Sequence, residues 1–117
     1  MTNKPSIRID YSARFKRDLK RLHKKYRSIQ NDIQPLIDSL VNGQTPGDAV
    51  QHVHHAVYKV RLQNSDVDKG KSGGYRVIYY IRTANFVILI TIYAKSDASD
   101  VSASEIRRLI EEYDNNQ

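Results

Sequence analysis

The chain has 117 residues, a length for one domain spanning 1–117 with a single core, and no cysteine, which excludes disulfides and thiolate metal sites. Its formal net charge of +6 at pH 7 favours a polyanionic partner such as nucleic acid. No apolar run approaches the ~20 residues of a membrane helix, and the polar start is no signal peptide, so a cytoplasmic setting without membrane contact is expected.

The charge is unevenly placed. Residues 1–27 carry ten Lys or Arg against two Asp, and residues 59–95 carry seven against two. The segments 28–58 and 96–117 are net acidic. Two basic regions therefore alternate with two acidic ones.

In chain order, Ser6 to Asp10 alternates Ile7 and Ile9 with polar residues and reads as a short strand. Ser12 is a plausible N-cap for a helix whose Phe15, Leu19, Leu22 and Tyr26 form one stripe. Its other face holds Arg14, Arg17, Lys20, Arg21, Lys24 and Lys25. Such a run is a solvated helix face by default; an RNA-backbone contact through Arg14, Arg17, Lys20, Arg21 and Lys24 is the sharper reading.

Ile29, Ile33, Leu36, Ile37 and Leu40 form a second helical stripe. Pro35 inside it predicts a late start or a kink, and Asn42-Gly43 a stop. The two helices make an αα-hairpin turning near Arg27-Ser28. Gln44 to Ala49 reads as a loop. Strands follow over roughly 53–63, 75–82 and 86–95, the last two joined by the short turn Thr83-Ala84-Asn85. Between the first two lies a longer loop, Asn64 to Gly74, with three glycines and with Lys69 and Lys71 as candidate RNA contacts. Ser102 and Glu105 fit a capping box for a last helix with Ile106, Leu109, Ile110 and Tyr113 on its apolar face. The order β-α-α-β-β-β-α gives an α+β fold class, with an N-terminal strand and αα-hairpin packed on an antiparallel sheet and a C-terminal helix.

Alternation along Val57–Leu62 puts Lys59 and Arg61 on one strand face, with Tyr58, Val60 and Leu62 on the other. Arg76 and Lys95 join that face if the strands are neighbours. Arg76 stands where a half-buried strand normally carries a hydrophobe or Thr; its bland alternative is a salt bridge to Asp97 or Glu105. Tyr93 shares parity with Lys95, which suits stacking on a base or hydrogen bonding a phosphate. Tyr79 lies on the opposite parity and reads as core.

Two other motifs carry little. Gly70-Lys71-Ser72 ends like a P-loop, but the motif needs a glycine where Ser65 stands and a helix where a strand follows. His52, His54 and His55 invite a metal, yet alternation separates His54 from His55, and no cofactor or metal is expected. His55, matching Lys59 and Arg61 in parity, is a candidate acid or base.

The run KGKSGGYRVIYYI from Lys69 to Ile81, followed by VILITIYAKSDASDVSASEIRRLI from Val87 to Ile110, resembles toxins of the RelE/ParE superfamily, especially its HigB-like branch. The resemblance covers about residues 57–110. It implies a toxin of a type II toxin–antitoxin system that acts as a ribosome-dependent, metal-independent mRNA endonuclease, or mRNA interferase, inhibits translation, and is neutralised by a cognate antitoxin. Implied partners are that antitoxin, the ribosome and mRNA. The family's strand lysine and arginines fall on Lys59, Arg61 and Arg76, and its basic residue after the last strand on Lys95. In some members a Tyr or His near the last helix works in acid–base catalysis. Here that neighbourhood is Ser99-Asp100-Val101-Ser102, which leaves the acid or base unidentified. RNA cleavage by an internal 2′-OH needs charge stabilisation, for which Arg61 and Arg76 are suited, and a base, for which Lys59 qualifies if adjacent cations and burial lower its pKa. Lys95 and Tyr93 are placed to position the phosphate or supply a proton. The alternatives are a ParE-like DNA gyrase inhibitor, which the full cationic set disfavours, and a non-catalytic RNA-binding module.

Overall fold

The computed structural model describes residues 6–67, 73–97 and 100–116. Lys69, Lys71 and Ser99 lie outside them. Five strands, β1 (Arg8–Tyr11), β2 (Asp48–Ala49), β3 (Val57–Leu62), β4 (Tyr75–Thr83) and β5 (Phe86–Ala94), form one sheet in the order β1-β5-β4-β3-β2. The helices are α1 (Ala13–Lys25), α2 (Ile29–Val41) and α3 (Ala103–Asn115). The fold class is α+β, as expected, but the sheet is mixed. β1 runs parallel to β5, from which the helical hairpin and three strands separate it along the chain.

Each element forms for a local reason. The Ser12 hydroxyl accepts from Phe15 N at 3.0 Å and caps α1. α2 does not start late. It runs unbroken from Ile29, with Pro35 on its exposed side and Ile33 and Leu36 buried on either side of it. Packing of that stripe outweighs the amide hydrogen bond that Pro35 cannot donate. Gly43, with φ +85°, ends the helix as predicted, and Gln44 N bonds back to Ser39 O. In α3 the Ser102 hydroxyl accepts from Glu105 N at 3.1 Å, while the Glu105 carboxylate turns to Arg108 and Arg14.

Three expectations along the strands are corrected. The stretch Gln44–Ala49 is not all loop, since Asp48 and Ala49 pair with Lys59 and Tyr58 as a short edge strand. The strand expected from residue 53 begins only at Val57, because His52 and His54 have φ of 68° and 61°, which no strand accommodates. Thr83 pairs with Phe86, so the β4–β5 turn is two residues, Ala84 and Asn85.

Both sheet faces are covered. The α1–α2 hairpin packs on one, where Phe15, Leu22, Ile29 and Leu36 meet Val60, Tyr75, Val77 and Tyr79. α3 packs on the other, where Ile106, Leu109 and Ile110 meet Val57, Ile78, Tyr80 and Ile88. Each fully buried side chain of this kind contributes about 1.5–3 kcal/mol. A bulge leaves Ile90 extra between the Ile78–Thr91 and Tyr79–Leu89 pairs. Thr91 is buried and donates its hydroxyl to Asp18 of α1 at 2.8 Å.

Candidate functional site

α3 covers only part of its sheet face. Along β3 the residues of that face run Val57, Lys59, Arg61; along β4 they run Tyr80, Ile78, Arg76. Val57, Tyr80 and Ile78 lie in the core under α3. Beyond that core the same face turns cationic. Arg61 pairs directly with Arg76 across the β3–β4 ladder, and Arg76 pairs with Tyr93 on its other side. Lys95 follows β5, its amide bonded to Gly74 O at 3.0 Å. Lys59, Arg61, Arg76 and Lys95 thus line one cleft of about 300 Å³, together with Asp48 and Asp100.

The cations differ in setting. Arg76 is only 8% exposed. Its guanidinium reaches the carbonyls of Gly73 and Tyr75 at 3.5 and 3.3 Å, long contacts for hydrogen bonds. It makes no ion pair among the described residues. The two carboxylates weighed as its partners are used elsewhere: Asp97 pairs with Lys25 at 3.5 Å, and Glu105 with Arg108 and Arg14. Arg61 is exposed and likewise unpaired among the described residues. Two like charges directly opposite on neighbouring strands destabilise the sheet, so folding gives no reason for this pair.

The carboxylates are what sequence reasoning missed. Asp100 lies 3.5 Å from Lys59 Nζ and accepts from the Tyr93 hydroxyl at 3.2 Å. Lys59 first, then Tyr93 and Lys95, hold the Asp100 carboxyl below the usual carboxylate range. Burial, followed by the charge of Asp100, raises the Tyr93 phenol above its ordinary value, so it stays a protonated donor at neutral pH. Lys59, expected as a base through adjacent cations and burial, stands instead beside a carboxylate. Asp48 reaches the cleft on β2, an element too short for alternation to reveal. A carboxylate two residues before the N-cap Ser102, close after Lys95, was the available signal for Asp100.

Three other residue readings change. Tyr93 is 5% exposed, its ring packed in the α3 core, so it has no free face for stacking on a base. His55 precedes β3, and the parity that joined it to Lys59 does not apply. It packs edge-on against Tyr80, at the end of the β3–β4 ladder away from Arg61 and Arg76. The basic face of α1 is partly neutralised. Arg14 pairs with buried Asp18 at 3.0 Å and with Glu105 at 3.8 Å, and Arg21 lies 3.8 Å from Asp18. Arg17, Lys20 and Lys24 are exposed and make no ion pair among the described residues.

The family model for the RelE toxin of the RelE/RelB toxin–antitoxin system matches residues 14–113. The chain belongs to the RelE toxin family. The match takes in the helical hairpin as well as β2 to β5 and the last helix, so it reaches further along the toxin than the motifs quoted above. No curated protein matches the toxin significantly. No helix among its described residues is long and apolar enough to cross a membrane, and no described cluster of His, Cys, Asp or Glu is arranged to hold a metal ion.

Proposed function

We propose that this RelE-family toxin is a metal-independent endoribonuclease that cuts mRNA on the ribosome and so inhibits translation, acting in the cytoplasm until a cognate antitoxin neutralises it. The observation that carries the reading is the gathering of Lys59, Arg61, Arg76 and Lys95 around one cleft. Attack of a 2′-OH on the adjacent phosphate builds a doubly charged phosphorane. Guanidinium groups stay protonated and can grip two phosphate oxygens at once, which fits Arg61 and Arg76 to that charge. Because β3 and β4 hold them in register, little reorganisation is needed as the charge develops. Lys95 at the cleft rim positions the phosphate, and Lys59, beside the Asp100 carboxylate, adds a further cation. Exposed Arg17, Lys20 and Lys24 are candidates for a backbone contact with ribosomal RNA. Within the family, Lys59-x-Arg61 and Gly73-Gly74-Tyr75-Arg76 favour the HigB-like branch.

The test is 5′-end mapping of mRNA in a translation system rebuilt from purified components. Cuts are expected only when ribosomes are present, and Arg61→Ala and Arg76→Ala are each expected to slow cutting at least ~100-fold. Full cutting by Arg76→Ala would reject the assignment of this cleft. Gyrase-dependent DNA breaks without mRNA cuts would reject the activity itself.

A further inference from the structure

A cleft built only for phosphate would carry cations alone. This one also carries Asp48, and a carboxylate beside a phosphate site opposes anion binding unless the ligand brings a hydrogen-bond donor to meet it. Asp48 is held in place by backbone. It pairs with Lys59 on the edge of the sheet. Gly47 just before it has φ +96° and sits so close to the Lys59 carbonyl that a Cβ would collide with it. The two carboxylates of the cleft are differently employed. Asp100 is engaged by Lys59 and Tyr93. Asp48 is exposed and has no side-chain hydrogen bond or ion pair among the described residues.

We propose that Asp48 is a specificity residue, the acceptor for a ribose 2′-hydroxyl on the nucleotide whose phosphate the four cations hold. The inference rests on the reading of the cleft as an RNA site and adds to it how RNA is preferred over DNA in binding, before any attack by the 2′-OH. The chemistry follows from what lies next to a phosphodiester. In RNA the nearest donor is the 2′-hydroxyl, and in DNA that donor is missing. A carboxylate whose backbone is fixed beside a cation cluster therefore penalises DNA, whose phosphate would sit next to an unanswered negative charge. It rewards RNA with a charge-assisted hydrogen bond. Arg61, Arg76, Lys59 and Lys95 cannot discriminate in this way, since both nucleic acids present the same phosphate.

The test is an NMR titration of the intact toxin at low salt with a short single-stranded RNA, DNA of the same sequence, and the 2′-O-methyl RNA. The amide signals of Lys59, Arg61 and Arg76 report binding. Wild-type toxin is expected to bind the RNA about tenfold more tightly than either analogue, the scale of one charge-assisted hydrogen bond. In Asp48→Ala the RNA affinity should fall to that of DNA, while DNA affinity holds or rises as a negative charge leaves the cleft. Asp48→Asn, which keeps a carbonyl acceptor, should retain part of the preference. Asp48→Ala with an unchanged RNA-to-DNA ratio would overturn the role of Asp48 and leave the endonuclease reading standing. An equal loss for RNA and DNA would put the donor on a base and overturn the ribose contact. No response of the cleft amides to any of the three ligands would overturn both.

Discussion

Arg76→Met should make the protein more stable and less active. Arg76 is 8% exposed, faces Arg61 directly across the ladder and has no carboxylate partner among the described residues. Side chains directly opposite on neighbouring strands have Cβ atoms about 5 Å apart, and two unit charges held near such a spacing, at ~6 Å, repel by roughly 1.5–3 kcal/mol at effective dielectric constants of about 20–40. Lys59 and Lys95 add to this, and Asp48 and Asp100 subtract from it. Methionine keeps most of the aliphatic stem, so the packing lost is small. The long contacts to the Gly73 and Tyr75 carbonyls return little when removed. The net expectation is a gain of about 1 kcal/mol, or roughly 4 °C in Tm for a domain of this size. Thermal unfolding followed by circular dichroism measures it, and mRNA cutting should drop at least ~100-fold in the same preparation. A Tm lowered by a similar amount would refute the reasoning, because Arg76 would then be a structural residue that happens to line the cleft.

Asp18→Ala should cost about 2–3 kcal/mol in urea unfolding, since it leaves the buried Thr91 hydroxyl without its acceptor and Arg14 without its closest partner; Asp18→Asn, still able to accept from Thr91, should cost less. The Tyr113 hydroxyl, donating to Asp10 at 2.5 Å, is the main cause holding the Asp10 carboxyl below its usual range. A depressed folded-state pKa adds stability above the unfolded value of about 3.9, lost as pH falls through the lower folded value. Tyr113→Phe should therefore lower Tm at pH 6, by a margin that narrows as pH falls through the depressed Asp10 value; a gap of unchanged size in acid would exclude this linkage. Reversing Arg17, Lys20 and Lys24 to Glu should weaken cosedimentation with ribosomes, most visibly at low salt, with little change in Tm, because none of the three is ion-paired among the described residues. Arg14→Glu should instead lower Tm, as it places a carboxylate against Asp18.

What the sequence revealed tracks how periodic each segment is. The α1, α2 and α3 stripes and the opposite faces of Lys59 and Val60 follow from simple periods, and the structure has them. Arg76 was legible as a cation in an otherwise apolar strand, and the register that sets it against Arg61 needs only that β3 and β4 be neighbours. Three things escaped. β2 is two residues long and carries no period. The turn at His52 and His54 holds positive φ with residues that only weakly favour it, so the strand seemed to begin earlier than it does. The third was the distinction between a solvated charge and a structural one. Asp18 and Arg14 look like ordinary members of a charged helix until the Ile90 bulge brings Thr91 within 2.8 Å of Asp18.

The same strands serve as core and as proposed site, and this accounts for the position of the cleft. Going along β3 from Val57 to Arg61, and along β4 from Tyr80 to Arg76, the face turns from apolar to cationic within two strand repeats. α3 packs its apolar stripe over the first part. A cation cluster on a loop could relieve its repulsion by moving apart. Here the ladder fixes the Arg61–Arg76 pairing, and the core beneath α3 anchors the ladder. The repulsion is therefore carried by the folded state. On the proposed cleavage of RNA, it is greatest without ligand and least when the negative charge is largest, at the phosphorane. An anchored cluster of this kind binds the transition state more tightly than the ground-state phosphodiester, which carries one charge fewer. Substituting the apolar anchor Ile78 would test this without touching a cation: loosening the ladder should lower the rate of cutting more than the affinity for uncut RNA.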